Sequence, residues 1–241
     1  MLAVFSWQNY KIMGFILLEG GSEFGGQMAA PDLRAIELAG GFDARISIIP
    51  AAAAPDNNHE RAGQNGVRWF ESLGADNVTV LPLIDRNSAD DRSLAEALKK
   101  SRLIYLPGGF PHHLGQSLAG SLAWLAMLDA WKQGAVIAGS SAGAMVLCSH
   151  YFNPQDGRIV EGLGLLPASC VLPHHDTYGK KWAPRLLSEL PDTLLIGIDE
   201  ETGMLGVAED GTWRVYGKGL VTLYNNKEVR SLASATTFKL S

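Results

Sequence analysis

A serine framed by glycines, in Gly139-Ser140-Ser141-Ala142-Gly143, is the segment of this chain best suited to covalent chemistry. The apolar run that opens at Ala135 stops at Gly139, and an Ala-rich helical pattern starts after Ser141. Small residues on either side allow a sharp strand-to-helix turn. Such a turn lifts one hydroxyl above the carboxyl end of the strand and sets the next residue's N–H beside it. The helix N-terminus adds partial positive charge where an oxyanion would develop.

A serine hydroxyl is a poor nucleophile until a base takes its proton, usually a histidine oriented by a carboxylate. His59 falls in a polar helical stretch and His150 just beyond the elbow helix. Only His174 and His175 end a strand-like run, Cys170-Val-Leu-Pro-His-His-Asp176, placed after the serine. The acid is expected from another strand end. Leu194-Leu-Ile-Gly-Ile-Asp-Glu-Glu201 is an apolar strand closing on three carboxylates, a costly place for charge unless the groups are solvated or paired. Asp199, Glu200 and Glu201 alternate about that end, and Asp176 competes as the orienter. The order serine, histidine, acid argues against an α/β-hydrolase esterase, in which the acid precedes a late histidine.

Two Gly-rich segments belong beside this machinery. Leu106-Pro-Gly-Gly-Phe-Pro-His-His113 follows a strand and precedes a helix, so an amide of Gly108, Gly109 or Phe110 could supply a second oxyanion donor, with Phe110 on the substrate side. His112 and His113 have no acidic or histidine partner at helical spacing, which favours a surface or capping role over metal binding. Gly20-Gly-Ser-Glu-Phe-Gly-Gly26 lacks both the Lys-Ser/Thr pair of a phosphate loop and the Rossmann glycine register; it reads as a site-lining turn.

The elements that must position these groups form a doubly wound α/β pattern. Strand-like runs at 12–18, 45–50, 78–84, 103–106 and 135–138 are mostly continuous apolar stretches, as in a parallel sheet covered on both faces. Helices fit 31–39, 59–73, 92–100 and 113–132. In the last, Leu114, Leu118, Leu122, Leu125 and Leu128 form a core-facing stripe. Strands at 170–172 and 194–198 flank a helix at 182–190, and short strands at 203–207, 212–216 and 220–224 close the chain.

The 241 residues fit a single α/β domain over 1–241, with residues 1–12 reading as an N-terminal extension. A charged fraction of 19% and a net charge of -5 offer no broad attraction to nucleic acid or anionic membrane. No apolar run approaches the roughly 20 residues that span a bilayer, and the opening residues lack a signal-peptide pattern, so the cytoplasm is the expected compartment. Cys148 and Cys170 form no C-x-x-C pattern and are expected as buried thiols.

Taken together, Leu106-Pro-Gly-Gly109, Gly139-Ser-Ser-Ala-Gly-Ala144, Gly162-Leu-Gly-Leu-Leu-Pro167, the His174 strand end and Gly197-Ile-Asp-Glu200 resemble the serine peptidase family of cyanophycinase and aspartyl dipeptidase E. The resemblance covers most of the chain from Met13 onward. It implies a flavodoxin-like fold of the class I glutamine amidotransferase type, with Ser141 as nucleophile, His174 as base and Glu200 as the orienting acid. It also implies oxyanion donors from the backbone of Gly109 and Ala142, and neither a metal nor an organic cofactor. Glutamine amidotransferases carry a cysteine at the elbow, so Ser141 speaks against glutaminase chemistry. Cyanophycinases carry Asp-Gln before the histidine, where this chain has Leu172-Pro173, which weighs against their branched aspartate-arginine polymer as substrate.

The function expected is therefore hydrolysis of small peptides, with aspartyl dipeptides as one class and Arg185, after His174, as the carboxylate reader. Lys180, Lys181 and Arg185 equally fit a solvated helix face. The competing functions are a catalytically silent binding or sensor domain and an esterase. The oligomeric state stays open, a homo-oligomer included.

Overall fold

A computed structural model describes residues 14–207, 211–225 and 228–240. The extension expected at 1–12 lies outside them. Five parallel strands form the heart of the main sheet: β1 (Phe15–Glu19), β2 (Ile46–Ile48), β3 (Val78–Val80), β4 (Leu103–Leu106) and β5 (Val136–Ser140). They alternate with α1 (Ala29–Ala39), α2 (His59–Ser72), α3 (Arg86–Ala89), α4 (Arg92–Lys99), α5 (Pro111–Leu118) and α6 (Leu122–Lys132), and α7 (Ala142–Leu147) follows β5. Beyond these come β6 (His150–Asn153), β7 (Arg158–Glu161), β8 (Ser169–Leu172), α8 (Ala183–Glu189), β9 (Leu194–Ile198), β10 (Thr202–Val207), β11 (Thr212–Gly217), β12 (Leu220–Tyr224), β13 (Val229–Ala233) and β14 (Thr237–Lys239).

The main sheet runs β14-β11-β10-β1-β5-β4-β2-β3, with β10, β11 and β14 antiparallel at one side. Continuous apolar strands follow from cover on both faces. Leu17, Ile46, Ile48 and Tyr105 pack on one face with Ile36 of α1 and Phe70 of α2. Ile16, Leu18, Ile104 and Ile137 pack on the other with α4 to α7. Each fully buried leucine or isoleucine there stabilises by about 1.5–3 kcal/mol. Strand register brings three carboxyl ends level, because Leu18 and Leu106 both lie opposite Gly139.

A second sheet, ordered β13-β12-β9-β8, carries the two later strand ends expected to deliver base and acid. Those strands lie outside the main sheet. The hairpin β6–β7 has no counterpart in the sequence expectation, nor do β13 and β14. Val229–Ala233 is exposed at most positions, so it carries little apolar signal.

The helix expected at 113–132 is two helices. Gly120 adopts φ 67°, and Ser121 caps α6 by accepting the Trp124 N–H at 3.1 Å. The break rotates the second helix, so Ala123, Trp124 and Met127 are buried while Leu122 and Leu125 are 39% and 54% exposed. Of the leucine stripe, Leu114 and Leu118 are buried in the core and Leu128 packs against it from a partly buried position, while Leu122 and Leu125 turn outward. Cys148 and Cys170 are free and buried, and burial pushes the Cys148 thiol up to about 11.

Candidate active site

Between β5 and α7 the chain makes the tight turn that small residues permit. A Cβ on Gly139 would lie 2.5 Å from the Gly143 carbonyl carbon, and one on Gly143 would collide with the Leu106 carbonyl. Ser141 is held at φ 47° and ψ −109°, a strained conformation costing on the order of 1–3 kcal/mol. Its N–H donates to the Glu19 carbonyl at 3.0 Å, and its carbonyl accepts from Met145 N–H at 3.0 Å, fixing the turn to β1 and α7.

His174 follows β8 in a turn of its own, at φ 47°. Its N–H donates to the Gly20 carbonyl at 2.7 Å, and its ring stacks on Tyr178 with centroids 4.9 Å apart. Gly21, at φ 127°, leaves room for the ring, because a Cβ there would collide with it. Nε2 of His174 is 2.9 Å from Ser141 Oγ, and Nδ1 is 2.7 Å from Glu200 Oε1. Glu200 Oε2 also accepts from Ser22 Oγ at 3.1 Å, and the Glu200 N–H donates to Asp176 Oδ1 at 3.0 Å.

The neighbouring residues are engaged elsewhere. His175 is buried, its rings atoms lying 3.2 Å from Asp199 Oδ1 and 2.7 Å from the Tyr224 hydroxyl. Burial lowers the His175 pKa against the opposing pull of Asp199. Glu201 pairs with Lys218 at 3.4 Å and accepts the Gln27 N–H at 3.3 Å. Among the three carboxylates of that strand end, Glu200 is the one at His174; Asp176 reaches the Glu200 backbone instead.

Amide bonding in the loop before α5 is selective. Gly108 N–H donates to Glu23 Oε1 at 2.8 Å and Phe110 N–H to the Ala52 carbonyl at 2.8 Å. Among the described residues, neither Gly109 N–H nor Ala142 N–H has an acceptor. The Gly108 Cβ position is 3.3 Å from Ser141 Cβ, which puts this loop against the elbow serine. A cleft of about 550 Å³ leads from Gly108, Gly109 and Phe110 to Arg68 and Trp69 of α2, with Glu23 on its wall.

Under the elbow lies a buried acid pair that the sequence reading did not reach. Glu19, at the end of β1, accepts from the Tyr105 hydroxyl, and Asp32 accepts from Trp69 Nε1 at 2.7 Å. Burial raises both carboxyl pKa values, Glu19 well above the usual range and Asp32 to about 7. A charged residue closing an apolar strand is the signal that marks Glu200, and it marks Glu19 too.

Arg185 does not line the cleft. Its Nε donates to Glu189 Oε1 at 2.6 Å, and its guanidinium lies 5.7 Å over the Phe152 ring. His113 contacts the Ile84 carbonyl at 2.7 Å and His112 the Tyr151 hydroxyl at 3.1 Å. Among the described residues no cluster of three or more metal-ligating side chains occurs, and no helix is long and apolar enough to cross a membrane.

Comparison with known proteins follows the same elements. The family model described as peptidase family S51 matches residues 16–212. The cyanophycinase of Synechococcus elongatus is 31% identical over 206 residues, covering 80% of this chain and 62% of that protein. That of Geminocystis herdmanii is 32% identical over 202 residues, covering 78% and 72%. The chain thus spans 62% of the length of the first curated relatives it matches. Among solved structures, a peptidase from an acI-B1 Actinobacterium superposes with a TM-score of 0.85 at 30% identity, covering 95% of this chain and 98% of that one. A putative peptidase E protein from Listeria monocytogenes EGD-e shares the fold, with a TM-score of 0.60 at 19% identity over 95% and 100% of the two chains. The matched stretch contains the elbow, the histidine turn and the Glu200 strand end, and on that match the chain belongs to peptidase family S51.

Proposed function

We propose that this chain is a serine peptidase acting on small peptides by acyl transfer, with Ser141 as nucleophile, His174 as general base and Glu200 as the orienting acid. The observation that carries the reading is the continuous relay of 2.9 Å from Ser141 Oγ to His174 Nε2 and 2.7 Å from His174 Nδ1 to Glu200 Oε1. Glu200 keeps the ring N–H on Nδ1, leaving the Nε2 lone pair toward the hydroxyl.

As Ser141 Oγ bonds to the substrate carbonyl carbon, Nε2 takes its proton and the carbonyl electron pair moves onto oxygen. The unbonded amides of Gly109 and Ala142 are suited to receive that oxyanion. The C–N bond then breaks as His174 returns the proton to the leaving amine. Water, deprotonated by His174, attacks the acyl carbon; the ester C–O bond then breaks as His174 passes that proton to the departing Ser141 Oγ, releasing the acid and restoring Ser141 and His174. The cleft volume suits a short peptide segment. An acidic residue on the acyl side is the finer reading. Arg68, which lines the cleft and makes no ion pair among the described residues, supports it better than Arg185 does.

Hydrolysis of a dipeptide library by wild-type protein and its loss in Ser141→Ala test this reading. Undiminished turnover in Ser141→Ala, or no hydrolysis of any member, would overturn it.

A further inference from the structure

Resting on the serine hydrolase reading, we infer that Glu23 is a positioning residue for the oxyanion site. Its two carboxylate oxygens join segments that are far apart in sequence. Oε1 accepts the Gly108 N–H at 2.8 Å, and Oε2 accepts the buried Ser140 hydroxyl at 2.9 Å. One side chain therefore ties the loop before α5 to the residue immediately ahead of the nucleophile.

The consequence is a choice among amides. With Gly108 N–H held by Glu23 and Phe110 N–H held by Ala52, Gly109 N–H is the loop donor left for an oxyanion. Without the Glu23 clamp, Gly108 N–H loses its acceptor. The peptide plane carrying Gly109 N–H is then free to rotate. An oxyanion donor acts only when its direction is set before charge develops, and a displacement of about 1 Å costs on the order of 100-fold in rate.

Glu23 is itself fixed from both sides. It sits between Ser22 and Phe24, at φ 58° and 64° in the left-handed region. Ser22 Oγ donates to Glu200 and the Phe24 ring packs 5.2 Å from Tyr105. The segment from Gly20 to Phe24 thus touches the histidine, the acid, the oxyanion loop and the elbow in succession.

Two substitutions separate clamping from charge and from folding. In Glu23→Gln the amide oxygen still accepts from Gly108 N–H and the NH2 group donates to Ser140 Oγ, so the tether survives without the charge. Glu23→Ala removes it. With a fluorophosphonate probe, the maximal labelling rate is expected to fall about 10- to 100-fold in Glu23→Ala with its half-saturating concentration little changed, and to stay within about threefold of wild type in Glu23→Gln. Thermal melting of each variant reports folding separately. Equal labelling rates in wild type and a folded Glu23→Ala, or equal losses in the Ala and Gln variants, would overturn the inference while leaving the hydrolase reading intact. Wild-type protein that takes no label would overturn both.

Discussion

Glu200 Oε1 lies 2.7 Å from Nδ1 of His174, while Asp199, one residue earlier, contacts His175, one residue later. Two adjacent histidines are thus matched with two adjacent acids in reverse order, one pair opening toward Ser141 and the other buried. Replacing Glu200 by Gln keeps its shape but removes the charge that would stabilise an imidazolium. The kcat of Glu200→Gln is expected to fall about 100- to 10,000-fold, and that of Glu201→Gln less than about threefold. Comparable small losses in both would move the orienting role away from Glu200.

The buried pair makes the opposite division for His175. His175→Ala leaves the hydroxyl of buried Tyr224 without its ring partner, which costs about 1–3 kcal/mol for a buried group left unsatisfied, while Asp199 keeps the Leu220 N–H. A lowered melting temperature is expected, with turnover per folded molecule largely kept. His174→Ala should do the reverse, losing several orders of magnitude in rate with little change in melting.

How much of this arrangement the sequence discloses depends on the range over which each constraint acts. The elbow is legible because Gly139, Ser141 and Gly143 express a local backbone requirement. The parallel sheet is legible because both faces of its strands are covered. Glu23 is hidden: its partners, a backbone amide at Gly108 and a hydroxyl at Ser140, leave no mark near residue 23 in sequence. The split between α5 and α6 is obscured because leucines at three- and four-residue intervals continue across Gly120 and Ser121 as though nothing interrupts them. Arg185 reads as a free cation until folding brings Phe152 beneath it and α8 sets Glu189 one turn on.

Arg185 and Arg68 give contrasting expectations for specificity. Arg185→Ala removes an exposed ion pair with Glu189 and should leave the ratio of aspartyl to asparaginyl dipeptide cleavage unchanged. Arg68→Ala should reduce that ratio about tenfold by lowering kcat/KM for the acidic substrate alone. A loss of preference in Arg185→Ala instead would return the carboxylate site to α8.

Glu19 and Asp32 predict an unusual stability profile. A carboxyl whose folded pKa is raised holds its proton longer in the folded chain than in the unfolded one. Stability from this source is complete below about pH 4 and is lost as pH rises toward 7, where Asp32 ionises; Glu19, raised in the same direction by burial, adds to that loss. Asp32→Asn keeps an acceptor for Trp69 Nε1 and removes one charge. Above pH 7 the variant should gain about 1–3 kcal/mol relative to wild type, a gain that shrinks toward pH 4. A difference between the two proteins that does not vary with pH in denaturant titrations would contradict the shared buried charge.

The relay requires Ser141, and not its neighbour Ser140, to be the reactive group. Mass mapping of the fluorophosphonate adduct tests it most directly. The predicted result is a single modification on Ser141 that disappears in Ser141→Ala and persists in Ser140→Ala. Modification of Ser140, or labelling that survives Ser141→Ala, would contradict it.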